Sequence, residues 1–233
     1  MDNNVIHTIN GPVVSVNGAS GFSMLDMVYV GNDRLLGEVI AISKTTTTIQ
    51  VYESTTGLKP GEPVTGTGEP ISAELGPGLV GHIFDGIGRP LEAIASASGM
   101  FIPKGSDIRS VDPDRTFDIT VVVKEGDTLK AGDVYATTME SASVLHRMMV
   151  PEGKSGTVTN VRADGPCKAD DIVVTLDDGH RTHDLSLVQK WPIKKPRPVR
   201  SRLGNSVPLI SGQRVIDTLF PIAKGGTDRK SVV

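Results

Sequence analysis

Gly11-Pro12-Val13-Val14-Ser15-Val16-Asn17-Gly18 is a strand-length run with β-branched Val13, Val14 and Val16 at its centre, closed at both ends by turn formers. The same unit recurs on either side of it. Gly18-Ala19-Ser20-Gly21, Gly31-Asn32-Asp33, Pro60-Gly61 and Gly76-Pro77-Gly78 punctuate the chain between Val5 and Asp85. Between these turns Met27, Tyr29, Val39, Ile42, Ile49, Val51 and Val64 are largely β-favouring, and Thr45 to Thr48 is a polar β-branched run. Short strands at near-regular spacing predict a small closed β-barrel of about six strands, because closure removes edges that little in the sequence protects.

From Asp112 to Gln189 the texture changes to a second β unit. Phe117 to Lys124 alternates imperfectly, and Glu125-Gly126-Asp127 and Ala131-Gly132-Asp133 form a pair of turns. Val134 to Met139, Gly156 to Val161 and Ile172 to Leu176 continue the unit, and Asp177-Asp178-Gly179-His180 predicts a two-residue hairpin. Lys190 to Arg202 holds six basic side chains and three prolines, a composition that predicts an extended linker. Beyond it Ser211 is placed to cap the one helix predicted, with Val215, Ile216, Leu219 and Phe220 on a single face and Pro221 at its end. The fold class is therefore mainly β.

Composition narrows the function. The chain has 233 residues, 38% of them apolar, enough for one large or two small cores, and its 26 glycines and 15 prolines imply many turns. With 24 basic and 27 acidic residues the formal charge is -3, so no global positive field exists to hold nucleic acid or an anionic membrane. Cys167 is the one cysteine, which excludes an internal disulfide and a cysteine-based metal site. The start Met-Asp-Asn-Asn lacks the basic and apolar regions of a signal peptide, so a reducing cytoplasm is expected. The longest apolar stretches, such as Ile119 to Val123, fall far short of the roughly 18 residues of a spanning helix, so any membrane link is expected to go through partners.

Several motifs imitate chemistry. Gly153-Lys154-Ser155 copies the tail of a phosphate-binding loop, but Met148 stands where the leading glycine belongs and a strand-like Gly156-Thr157-Val158-Thr159 follows instead of a helix. A β-turn is the expectation there. His180 and His183 sit three apart on a predicted hairpin, which aims them to opposite faces and argues against zinc. His7, His82 and His146 are lone residues in apolar segments, and the pairs Asp112 with Asp114 and Glu125 with Asp127 bracket turn residues rather than suggest general acids. No Ser or Cys sits in a nucleophile-elbow context. One aromatic, Trp191, in the basic run is too little for a single-strand nucleic-acid groove. Val123-Lys124-Glu125-Gly126-Asp127, Lys130-Ala131-Gly132-Asp133 and Val150-Pro151-Glu152-Gly153 resemble the paired hairpins of biotinyl and lipoyl carriers, yet Met139 to Met149, which should supply the modifiable lysine, contains none.

Three phrases carry a more specific resemblance: Gly86-Ile87-Gly88-Arg89-Pro90-Leu91, Pro208-Leu209-Ile210-Ser211-Gly212-Gln213-Arg214-Val215-Ile216-Asp217-Thr218, and Phe220-Pro221-Ile222-Ala223-Lys224-Gly225-Gly226-Thr227. In this order they resemble the catalytic A subunit of archaeal-type and vacuolar-type rotary ATPases. Gly11-Pro12-Val13-Val14 and Leu36-Gly37-Glu38-Val39-Ile40 fit that family's N-terminal barrel, so the likeness runs from Val5 to Thr227. Gly212 lies 122 positions after Pro90, an insert that resembles the catalytic chain's bulge and counts against the non-catalytic B subunit of the same complex. A carrier-domain protein is the alternative from another class.

The resemblance implies a barrel over 1–80, a connector and start of the nucleotide-binding domain over 81–111, an inserted barrel-sandwich-like bulge over 112–190, and a linker with a truncated stub of an α/β P-loop domain over 191–227. Residues 228–233 depart from the family pattern and match a translated sequencing adapter, so they are expected to be a non-native tail. The implied function is ATP synthesis or hydrolysis coupled by rotation to proton or sodium transport. ATP or ADP and Mg²⁺ are the implied cofactors of the full-length protein. The phosphate-binding loop and the catalytic glutamate are expected beyond this chain, so no catalytic, cofactor or metal residue is assigned within it, and the fragment alone is expected to be inactive. Implied partners are B subunits in an alternating A3B3 hexamer and the central and peripheral stalks, at the cytoplasmic face of the membrane, with no nucleic acid.

Overall fold

Alternation of buried and exposed side chains builds the first sheet. In the computed structural model, which describes residues 4–18, 21–99, 101–106, 108–199, 201, 204 and 206–227, β1 (Ile6–Asn10) and β2 (Val13–Asn17) form a hairpin about Gly11, whose φ is +57°. The expected tail over 228–233 lies outside the described residues. β3 (Asp26–Val30), β4 (Leu35–Ile42), β5 (Thr46–Val51) and β6 (Val64–Pro70) complete an antiparallel sheet of six strands in the order β1-β2-β5-β4-β3-β6. Ile6, Val14, Val16, Val28, Val30, Leu35, Val39 and Ile49 fill its interior. The strand number matches the sequence expectation, but full closure does not. The edges β1 and β6 share no ladder and meet at one bridge, Val5 with Pro63, supported by Ile6 N–H to Glu62 O (2.9 Å) and Val64 N–H to Asn4 O (2.7 Å). Pro63 has no N–H to extend the pairing, and a register shift between Ile6 and Thr8 pulls the opposite edge out of step.

β7 (Ser72–Leu75) leads through a glycine-rich loop to α1 (Leu91–Ser98), a helix that the sequence pattern does not predict. Pro90 at its N-cap has φ −72°, Ala, Leu and Glu favour the helical state, and the Gly99 N–H closes the end on Ala95 O at 2.9 Å. Ile94 is its one buried residue, so there is no apolar stripe to detect.

The second β unit comprises β8 (Thr116–Val121), β9 (Thr128–Leu129), β10 (Val134–Ser141), β11 (Val144–Met149), β12 (Gly156–Val161), β13 (Gly165–Lys168), β14 (Val174–Asp177) and β15 (Thr182–Leu185). They form two sheets of four strands, β11-β10-β8-β13 and β15-β14-β12-β9, around a core that includes Phe117, Ile119, Tyr135, Val158, Leu176 and Leu185. The β14–β15 hairpin has a four-residue loop instead of the predicted two. The pair Asp177 with Thr182 closes it, and the Asp178 carboxylate caps the N–H groups of His180 and Arg181, both at 2.8 Å.

The predicted linker begins later than expected. β16 (Gln189–Pro192) pairs with β7, Trp191 facing Ala73, and the buried indole donates to Lys195 O at 2.7 Å. Pairing of backbone groups outweighs the extended, basic composition there. The chain divides into two compact units, Met1–Lys195 and Pro196–Val233. The second holds the pair β17 (Pro208–Leu209) and β18 (Ile222–Ala223) and the helix α2 (Arg214–Leu219). Ser211 is not its cap: Gln213 occupies that position, while the Ser211 hydroxyl donates to Asp217 Oδ1 at 2.7 Å and accepts the Gln213 N–H at 3.1 Å. Val215, Ile216, Leu219 and Phe220 are exposed.

Candidate functional site at the barrel–sandwich junction

The phrase Gly86-Ile87-Gly88-Arg89-Pro90 folds as a tight turn organised by one carboxylate. Asp85 accepts the N–H of Ile87 (3.1 Å), the N–H of Arg89 (2.8 Å) and the Arg89 Nε–H (2.7 Å), and Gly88 takes φ +86°, which glycine adopts without strain. Burial alone would raise the Asp85 pKa, but the Arg89 N–H, its guanidinium and the Ile87 N–H together hold it below the usual carboxylate range. Arg89 also reaches Glu53 at 3.4 Å, and Glu53 accepts the N–H groups of Leu36 (3.3 Å) and Gly105 (3.1 Å). The turn is thereby tied to the six-stranded sheet.

Four further carboxylates, Glu74, Asp170, Glu140 and Glu38, tie β7, the 76–90 loop and the residues after β16 to their surroundings. Glu74 on β7 accepts the Val111 N–H at 3.0 Å and pairs with Arg109, whose guanidinium also reaches Asp170 at 2.6 Å. Hydrogen bonds to Asp170 first, and then to Glu74, hold that guanidinium still more firmly protonated. Glu140, near the tip of the β10–β11 hairpin with its side chain 3% exposed, accepts the N–H groups of Gly78 (2.8 Å) and Val80 (2.9 Å) and faces His146 Nδ1 at 3.1 Å. Burial opposes its charge, but the Val80 and Gly78 N–H groups and His146 prevail and lower its pKa. Glu38, buried within β4, accepts from Tyr52 Oη (2.8 Å) and Lys194 Nζ (2.6 Å). Burial, and next the bond to Glu38, push the Tyr52 phenol up to about 12.

Two clefts flank these contacts. One of about 470 Å³ is lined by Pro77, Ile83, Pro90, Ile108 and Phe117, and one of about 560 Å³ by Tyr29, Arg34, Glu53, Arg89 and Lys190. Arg109 lines both. The carboxylates are each held by backbone N–H groups or a basic side chain, an arrangement suited to holding parts of a fold in register rather than to transferring a group.

The motifs that imitate chemistry are dispersed. Gly153-Lys154-Ser155 runs straight into β12, with Lys154 Nζ 3.5 Å from Asp184 O, so no helix N-terminus stands behind it. His183 is buried and faces Asp178 Oδ2 at 3.0 Å, whereas His180 sits exposed in the hairpin loop. His82 faces Glu92 at 3.1 Å. The β10–β11 hairpin, which holds the Met139 to Met149 stretch, has Ala142-Ser143 at its tip and no lysine. Among the described residues no group of three or more His, Cys, Asp or Glu is placed to hold a metal ion. Glu53, Glu74 and Glu140 were not singled out by the sequence. Their one signal is an acidic residue beside or within a β-favouring segment.

The sequence of residues 6–68 matches the ATP synthase alpha/beta family beta-barrel domain, and residues 108–194 match the ATP synthase alpha/beta subunit barrel-sandwich domain. The chain belongs to the ATP synthase alpha/beta family. The first match covers the six-stranded sheet, and the second covers the sandwich with β16. The Asp85–Arg89 turn lies between them. Relatives in the family include the V-type ATP synthase alpha chain 2 of Clostridium tetani, 48% identical over 94% of this chain and 37% of its own length. The V-type ATP synthase alpha chain of Halothermothrix orenii is 49% identical and the A subunit of the A-type ATP synthase of Methanopyrus kandleri 47%, each over the same shares. The chain thus spans about 37% of the length of these relatives. No helix among its described residues is long and apolar enough to cross a membrane.

Proposed function

We propose that this chain supplies the barrel and the inserted sandwich of a catalytic A subunit of an A/V-type rotary ATP synthase, whose full-length form couples ATP synthesis or hydrolysis to ion transport. The observation that carries this reading is the eight-stranded sandwich placed between Pro90 and Gly212 in a chain close to half identical to A-type and V-type alpha chains. The same insert argues against the non-catalytic B subunit. In this reading the six-stranded sheet contributes contacts to B subunits in an alternating hexamer, the sandwich faces stalk subunits, and the assembly lies at the cytoplasmic face of the membrane. The full-length protein would use ATP or ADP with Mg²⁺. We assign no phosphate-binding, metal-binding or catalytic residue within these 233 residues, since a phosphoryl group in transfer needs loop amides, a lysine and a metal-bound hydroxyl that the Gly153-Lys154-Ser155 turn does not assemble.

A chimera tests the reading. Residues 1–227 of this chain, joined to the remainder of the Clostridium tetani alpha chain and assembled with that organism's B subunits, should restore MgATP hydrolysis. An assembled but inert chimera would count against it. The 233-residue chain by itself should show no MgATP binding below the millimolar range in calorimetry, and submicromolar affinity would overturn the assignment of no phosphate site.

A further inference from the structure

The segment 76–90 is gripped near both ends by buried carboxylates from different parts of the fold. Near its start the Glu140 side chain, from the sandwich hairpin, accepts the Gly78 and Val80 N–H groups at 2.8 and 2.9 Å. Near its end Glu53, which follows β5, takes the Arg89 guanidinium at 3.4 Å with only 11% of its own side chain exposed. Between the grips Val80 and Ile83 are exposed, and the link from the first grip to the turn is the His82 N–H to Leu79 O bond at 3.4 Å. Leu91 N–H donates to Ile83 O (2.9 Å) and Asp85 N–H to Arg89 O (3.0 Å), and Phe84 bridges Pro90. Gly78 itself is wedged: a Cβ there would stand 3.1 Å from the Phe117 ring and 3.4 Å from the Arg115 guanidinium.

We propose that residues 76–90 act as a two-ended strap that couples the sandwich hairpin to the six-stranded sheet, so that loss of grip at Glu140 loosens the Asp85–Arg89 turn and loss of grip at Glu53 loosens residues 78–80. Two independent local clamps would not behave in this way. In the strap a displacement of the hairpin reaches the barrel through the His82–Leu79 bond and the bonded 83–91 turn. The Ser110 hydroxyl, which donates to Gly88 O at 2.6 Å, adds a lateral tie to the stretch carrying Arg109.

Hydrogen exchange read by mass spectrometry on the full 233-residue chain tests it. In Glu140→Ala, exchange of the 78–80 amides should rise about tenfold or more, since two bonds to a charged acceptor are lost. The coupling predicts that the 87–89 amides, whose acceptors lie on Asp85, also rise about threefold or more, while the β2–β5 ladder keeps its rate. Glu53→Ala should give the mirror result. A rise confined to 78–80 in Glu140→Ala overturns the strap. Should Glu140→Ala weaken the β2–β5 ladder as well, Glu140→Leu, which keeps much of the volume and removes both acceptor oxygens, is judged by the same comparison of 87–89 with 78–80.

Discussion

Asp85 and Glu140 both hold their carboxyl groups ionised by accepting backbone N–H bonds within a largely buried setting. Their pKa values are lowered on folding, so the stability they contribute is present above the unfolded carboxyl range of about 4 and is lost as pH falls through the folded values. The urea midpoint should therefore hold from pH 7 to about pH 5 and drop below about pH 4, with a shallower drop in Glu140→Gln. A Glu140→Gln profile parallel to the wild type would show that Glu140 contributes nothing to acid sensitivity. Gly105 is constrained differently. Its φ is +62°, and a Cβ there would lie 1.8 Å from the Asp33 carbonyl oxygen. Gly105→Ala should lower stability by about 2–3 kcal/mol, read as a shifted urea midpoint at unchanged slope. A single glycine in the sequence says nothing of this clash, because Asp33 meets it only through the fold. Glu38 was legible as an acidic residue in Leu35-Leu36-Gly37-Glu38-Val39, but its partner Lys194 stands 156 positions away.

At the scale of elements, α1 has eight residues, too few to stand on propensity alone, and it rests on buried Ile94 and on its Pro90 and Gly99 ends. Ala95→Gly, at an exposed position, should cost about 1 kcal/mol by the same urea measurement, and no change would mean the helix is held by its flanks alone. In α2 the apolar face is uncovered: Leu219 is 68% and Phe220 72% exposed. Replacing both by Ser should reduce self-association in light scattering at high concentration, without loss of the β signal in circular dichroism. The strands were readable because alternation such as Val14 and Val16 inward in β2 has a period of two, and turn glycines mark where each run stops. α1 was not, because eight residues with one buried position carry no 3.6-residue period.

For the whole molecule, the division at Lys195 and Pro196 predicts where the chain is cut. Limited digestion with a nonspecific protease should first leave a core ending close to residue 195, found by intact mass, because Trp191, Lys194 and Lys195 are all bonded back to the first unit while exposed prolines follow. Early cleavage inside residues 108–194 would contradict the sandwich as a stable body. The candidate junction illustrates the limit of reading by position: Arg89 and Asp85 lie in a recognisable phrase, whereas Glu53, Glu74 and Glu140 sit in unremarkable ones and acquire a role only through their partners. The order of residues by itself determined the β class, the two successive β units and the phrases that mark the family, since strand alternation, turn formers and motif spacing are local properties of the chain. The tertiary structure alone decided that the edges of the six-stranded sheet meet at a single bridge, that the basic stretch begins as a strand on β7, and that Glu53, Glu74 and Glu140 hold the connector between barrel and sandwich. Ladder closure and the pairing of buried charges depend on which distant residues meet, and that depends on the whole packed chain rather than on any segment of it.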